Sequence, residues 1–162
     1  MIQRNYYCLV AGLPDLIPDD KKLHYSSAEL REYLKEELHP ADFRLVRLFY
    51  LPFDHENLLN LVYESEFDWD DRGNYARVVM EQFVDKKQHE LMDTSGFPPY
   101  MVEFMESYFD YDEEFPKEKA IRFLTEQWYN WLRKSGNSFM ARFADYKQTM
   151  GNIMLALNER NH

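Results

Sequence analysis

Asp68-x-Asp70-x-Arg72-Gly73 is the stretch of this 162-residue chain that comes nearest to a metal site. Its alternating carboxylates and the glycine after them open like a calcium loop. Arg72 then puts a positive charge where an oxygen ligand belongs, and Val79 stands where the closing bidentate glutamate should be. The pattern fails on its strictest terms, so a solvated acidic loop over Glu64 to Asn74 is expected, with no bound metal. The five histidines are His24, His39, His55, His89 and His162, and no two of them lie three or four apart. A zinc pair on one helix face is therefore excluded. Asp85 and His89 stand at i, i+4, the spacing of a weak surface ion pair. His39 and His55 fall at expected helix starts, where capping and exposure explain them.

Nucleophilic chemistry has little to stand on. Cys8, the single cysteine, sits inside the apolar run Tyr6 to Leu13, where a thiol is expected to be a small buried hydrophobe. It excludes an internal disulfide and any site built on several thiolates, and it fits a reducing cytoplasm. Gly12 stands alone, so no phosphate-cradling loop of either standard pattern is present. The carboxylates fall in acidic runs or on expected polar faces, and none forms a pair whose surroundings would split two pKa values. No catalytic residue and no cofactor is assigned.

Formal net charge is −10. That opposes nucleic-acid binding, which rests on Lys and Arg neutralising phosphates. It also opposes direct docking on anionic lipid. No apolar run approaches the ~20 residues of a membrane span, and no signal-peptide pattern is seen. Seven Val, four Ile, three Thr and five Gly leave strand and turn formers scarce. An all-α fold follows, a compact bundle of about seven or eight helices in a single domain, residues 1–162.

The elements can be marked out one by one. Tyr6, Leu9, Val10 and Leu13 fall at helical spacing, and Gly12 and Pro14 end that helix. Pro14 to Tyr25 reads as a loop with a turn at Pro18-Asp19-Asp20. Ser26-x-x-Glu29 is a capping box that starts a helix. His39-Pro40 breaks it and opens another over about Ala41 to Leu51, apolar nearly all round and hence central. Pro52 should end that helix, and Asp54 should cap a further short one. A helix over about Tyr75 to Met92, a turn at Thr94-Ser95-Gly96 and a helix opened by Pro98-Pro99 follow. Asp110 to Glu114 is a second acidic loop, and Pro116 suits the first turn of the next helix.

Two seams close the chain. Ile121, Leu124, Trp128 and Trp131 recur at steps of three, four and three. Phe139, Phe143, Tyr146, Met150, Ile153 and Leu157 recur at steps of four, three, four, three and four, an apolar heptad pattern. Gly136 lets the two helices fold back, and Asn137 or Ser138 caps the second. The expectation is an antiparallel hairpin in which Phe139 to Ile153 pack on the partner seam. Leu157 lies beyond the partner's reach, so it is a candidate contact for another chain or a C-terminal continuation. The loop carboxylates Asp110, Asp112, Glu113 and Glu114 are further candidate contacts.

Three local patterns carry a resemblance. They are the opening Asn5-Tyr6-Tyr7-Cys8-Leu9-Val10-Ala11-Gly12-Leu13-Pro14-Asp15-Leu16, the helix start Phe97-Pro98-Pro99-Tyr100-Met101, and the ending from Asn137-Ser138-Phe139 through Asn152 to Arg160. In this order they resemble an uncharacterised bacterial family encoded among the subunit genes of V-type ATPases. Members of that family tend to continue further, which implies a short member or an N-terminal portion. The last segment, with Asn152 inside a long apolar helix, is similar to helices of the C-type adaptor of V-type ATPases. That adaptor is wholly helical and funnel-shaped, joins the rotor stalk to the membrane ring, and has no enzymatic activity. The resemblance implies a non-enzymatic accessory or peripheral subunit. Its partners would be V-type ATPase subunits, and it would be cytoplasmic, held near the membrane through the complex without inserting. Two other readings stand beside it. One is a small helical ligand-binding domain or enzyme with a pocket lined by Tyr, Trp and Met. The other is a self-associating helical domain.

Overall fold

The computed structural model describes residues 5–14, 25–111 and 115–159. Among these every regular element is helical: α1 (Tyr7–Gly12), α2 (Ser27–Glu37), α3 (Pro40–Val62), α4 (Arg77–Val84), α5 (Lys86–His89), a 3-10 turn (Thr94–Gly96), α6 (Pro99–Phe109), α7 (Lys117–Lys134) and α8 (Ser138–Glu159). The all-helical expectation holds, and the number of helices agrees. The turn at Pro18 to Asp20 lies outside the described residues. The chain forms two compact units, Met1–Val46 and Arg47–His162.

In the first unit the Ser26 capping box is complete. The Ser26 hydroxyl accepts from the Glu29 N–H at 3.2 Å, and Glu29 accepts from the Ser26 N–H at 2.7 Å. Leu38 is extended and ends α2. The Tyr6 hydroxyl donates to Asp42 at 2.6 Å and accepts from the His39 N–H at 3.2 Å, which ties the entry of α1 to the start of α3. Leu9 is the only buried residue of α1. Cys8 is exposed. The expectation of a buried thiol fails, because a six-residue helix turns only one narrow face inward and Leu9 takes it.

The second unit is built around α3 from Arg47 onward. Two expected helices are one continuous helix, with Pro52 inside it. Proline removes the N–H that would bond the carbonyl four residues earlier. Here that carbonyl, Leu48, receives the indole N–H of Trp128 from α7 at 2.8 Å. The adjacent Arg47 carbonyl receives the Asn74 side-chain amide at 3.1 Å. The helix thus survives its proline because outside donors reach its carbonyls there. It ends where Glu64 takes a positive φ of 48° and the Ser65 N–H returns to the Asn60 carbonyl at 3.0 Å.

The expected helix over Tyr75 to Met92 is split at Asp85, which is extended and caps α5 by accepting from the Gln88 N–H at 2.9 Å. The expected Asp85–His89 ion pair is not formed. His89 is buried instead, with Nδ1 2.9 Å from the Phe83 carbonyl. A column of rings fixes this region. Tyr75 stacks on Phe97 at 4.2 Å between centroids, and Phe97 stacks on Phe83 at 3.9 Å. Met80, Met101, Met105, Phe104, Leu58 and Leu124 fill the core around it.

α7 and α8 form the expected hairpin. Gly136 takes φ +75°, a conformation that suits glycine. The Asn137 side chain caps α8 by accepting from the N–H groups of Phe139 and Met140. The packed face is not the expected one. Met140 and Ala144 of α8 are buried, as are Ala120, Leu124, Trp128 and Leu132 of α7, while Phe139, Tyr146, Met150, Ile153 and Ile121 are exposed. Small and flexible residues let the helices approach closely. Arg133 then holds the rim by pairing with Asp145 at 2.8 Å and with Gln148.

Candidate functional site

Three polar positions within one turn of α3 are buried: Asp54, His55 and Asn57. The sequence does not single them out as site residues, because Asp54 reads there as an exposed cap and His55 as a helix start. The unbroken helix through Pro52 moves both to its middle. Their only signal is their place in an otherwise apolar run.

Asp54 closes the end of the 64–76 loop onto α3. Its Oδ1 accepts from the backbone N–H of Asn74 at 2.6 Å and of Tyr75 at 3.2 Å, and its Oδ2 accepts from the Asn74 side chain at 2.7 Å. Burial pushes its pKa up to about 6, against the opposing pull of those bonds and of the Arg47 charge. One turn on, Asn57 donates to the Asp70 carbonyl at 2.9 Å and accepts from the Asp70 N–H at 3.0 Å. His55 pairs through Nε2 with the Tyr100 hydroxyl at 2.9 Å. Burial lowers the His55 pKa to about 3, so its ring is neutral, and burial also raises that of Tyr100. A perturbed carboxylate beside a buried imidazole is a pattern of active sites. Here Asp54 and Asn57 are taken up by the loop and His55 by Tyr100. The cluster latches the loop onto α3.

The acidic loop itself is organised by one pair. Asp70 receives the Arg72 guanidinium at 2.5 Å, which lowers the Asp70 pKa, and the same guanidinium lies 4.0 Å over the Phe53 ring. Asp68 and Asp71 line the loop without forming a metal cage. Among the described residues no group of three His, Cys, Asp or Glu could hold a metal ion. Glu-x-x-His spacings, which di-iron bundles use in pairs, occur at Glu36–His39 and Glu159–His162. The first straddles the break between α2 and α3, where His39 Nδ1 accepts from the Ala41 N–H at 3.1 Å as a cap. His162, like His24, lies outside the described residues.

The surface offers a shallow open groove lined by Phe97, Pro99, Val102 and Trp131, with Glu103 and Glu106 at its edge. The more extensive apolar surface is α8. Phe139 is 64% exposed, Tyr146 62%, Ile153 48% and Leu157 49%. From Thr149 onward every described side chain of α8 is exposed. The candidate contact Leu157 thus belongs to a larger exposed seam. Asp110 is exposed at the end of α6 and shares no hydrogen bond or ion pair with α8 among the described residues. Asp112, Glu113 and Glu114 lie outside the described residues. No described helix is long and apolar enough to cross a membrane.

No curated protein and no solved structure matches the chain. One family model does, over residues 3–162, described as a protein of unknown function (DUF2764). That match spans nearly the whole chain, including all three patterns that carried the resemblance, and so the chain belongs to the DUF2764 family.

Proposed function

We propose that this protein acts by contact with other proteins, as a non-enzymatic accessory subunit of a V-type ATPase, a helical adaptor of the C type. The observation that carries the contact role is the heptad seam of α8, whose large apolar side chains apart from the half-buried Phe143 stand in solvent. Apolar seams of this regularity mark helices that meet another helix, and extended apolar patches on a monomer mark interaction sites. The buried polar groups support the same reading, since Asp54, His55 and Asn57 are consumed by internal hydrogen bonds. The link to a V-type ATPase rests on the sequence resemblance alone.

The test is reconstitution. The purified chain is mixed with the V-type ATPase soluble sector and, separately, with the intact complex from its native host, and each mixture is resolved by size exclusion. Co-elution at a fixed ratio is expected, with no ATP hydrolysis by the chain alone. Elution of the chain by itself from both mixtures would sink the ATPase assignment.

A further inference from the structure

We infer that the α8 seam is a docking site for a single heptad-patterned helix of another protein, one whose flanks are acidic. The inference deepens the adaptor reading by naming its partner's chemistry, and it rests on that reading only in requiring a protein contact.

The seam sets the shape of the partner. Phe143, Met150 and Leu157 occupy one heptad position, and Phe139, Tyr146 and Ile153 the other, along about 27 Å of helix. A stripe of two positions in seven is narrower than the face a helix buries in a globular core, and it is the width that one facing helix covers. Phe49 of α3 touches only its first turn, at 5.0 Å from Phe143 and 6.3 Å from Phe139 between centroids. Beyond Thr149 the described side chains of α8 are all exposed, so nothing described covers Met150, Ile153 or Leu157.

The flanks set the charge of the partner. The positions beside the seam hold Met140, Arg142, Lys147, Thr149, Met154 and Ala156. The two ionic ones are both basic, in a chain whose net charge is −10. Arg142 and Lys147 are exposed, and neither makes an ion pair with a described residue. Asp145, between them in sequence, lies on the other side of the helix and pairs with Arg133. Arg142 and Lys147 are five residues apart, the offset at which flanking residues face each other across two parallel helices. A second copy of α8 in parallel would bring Arg142 against Lys147, and in antiparallel, with the seams fully overlapped, it would bring Lys147 against Lys147. Both arrangements repel. A partner with Glu or Asp at those positions converts the same two sites into attractions, so charge selects a different chain over a second copy.

Two synthetic four-heptad peptides with the same Ile and Leu seam probe this directly, one carrying Glu at every flanking position and the other Lys. Binding to the full chain is measured by fluorescence anisotropy at low and high salt. The Glu peptide is expected to bind at least about tenfold tighter than the Lys peptide, with the preference shrinking in salt. The Arg142→Glu/Lys147→Glu variant should reverse the preference, and Ile153→Asp/Leu157→Asp should lose both peptides while keeping the helical signal and melting temperature. Equal affinity for the two peptides, or binding of neither, overturns the inference. Peptide binding that survives Ile153→Asp/Leu157→Asp also overturns it, because the peptide would then sit elsewhere. A stable dimer in sedimentation that Leu157→Asp dissociates overturns it in favour of a second copy. Failure of the ATPase reconstitution with the peptide preference intact would remove the proposed complex and leave the docking site standing.

Discussion

The indole N–H of Trp128 donates to the carbonyl of Leu48 at 2.8 Å, four residues before Pro52 in the same helix as Leu48. A tryptophan from α7 thereby satisfies a carbonyl that proline leaves without its helical donor. Trp128→Phe keeps most of the ring burial and removes the donor, and it should cost about 1–3 kcal/mol through the orphaned carbonyl. In a Pro52→Ala background, residue 52 regains its N–H and can serve Leu48 itself. The same Trp128→Phe change should then cost distinctly less. Chemical denaturation of the four proteins measures this coupling. An identical cost in both backgrounds would show that the indole bond does not compensate for the proline.

Gly73 lies so close to Asp54 that a β-carbon built on it would sit 2.5 Å from Oδ1 and 3.3 Å from the carboxyl carbon. The carboxylate cannot swing away, because Asn74 and Tyr75 hold both its oxygens. Gly73→Ala should therefore destabilise the fold by about 1–3 kcal/mol, the usual range for an overfilled buried site. Gly96 has nothing within 4 Å of an added β-carbon, and Gly96→Ala serves as the control. Thermal melts of the two variants should separate clearly.

Asp54 gives the fold an inverted acid response. Its folded pKa of about 6 lies above the ordinary carboxylate value of 3.8. Between those values the folded state binds more protons than the unfolded state, so stability from this group falls as pH rises. The contribution is fully present below about pH 4 and lost as pH climbs through 6, with a span on the order of 3 kcal/mol. Other carboxylates oppose this trend, so the measurement is a difference. Stability of the wild type minus that of Asp54→Asn should decline from pH 4 to pH 7. A difference that stays flat or rises would show that the hydrogen bonds from Asn74 and Tyr75 outweigh burial.

Cys8 is exposed on α1, so the native protein should react with a thiol reagent about as fast as the unfolded chain, whereas a buried thiol would be protected by orders of magnitude. Reaction progress in buffer against denaturant decides between the two.

Local signals are legible where a residue acts on its own neighbours. Ser26 and Glu29 close the capping box they spell, Pro40 and Pro99 open helices, and Gly136 with Asn137 marks the last turn. The errors arise where the deciding partner is distant in sequence. Pro52 reads as a stop unless Trp128, far along the chain, is known to serve Leu48. Asp54 reads as a cap unless Asn74 and Tyr75 are known to fold back on it. In α8 the heptad seam is visible, but not the direction it faces. Met140 and Ala144 make an inconspicuous stripe beside it, and close helix approach favours that stripe over the larger rings.

That choice of face reorders the expected costs of truncation along the hairpin. Leu132 is fully buried between the helices, and Leu132→Ala should cost about 2–5 kcal/mol. Phe143 is only half-buried, with its ring edge-on to Phe49 at 5.0 Å. Phe143→Ala should cost about 1–3 kcal/mol, below the roughly 3–5 kcal/mol of a fully buried ring. Leu157 stands in solvent past the last buried residue of α8, and Leu157→Asp should change stability by no more than about 0.5 kcal/mol. Denaturant titrations of the three variants should fall in that order. If Leu157→Asp proves as damaging as Leu132→Ala, the end of α8 is buried in solution, and the seam is already covered without any partner.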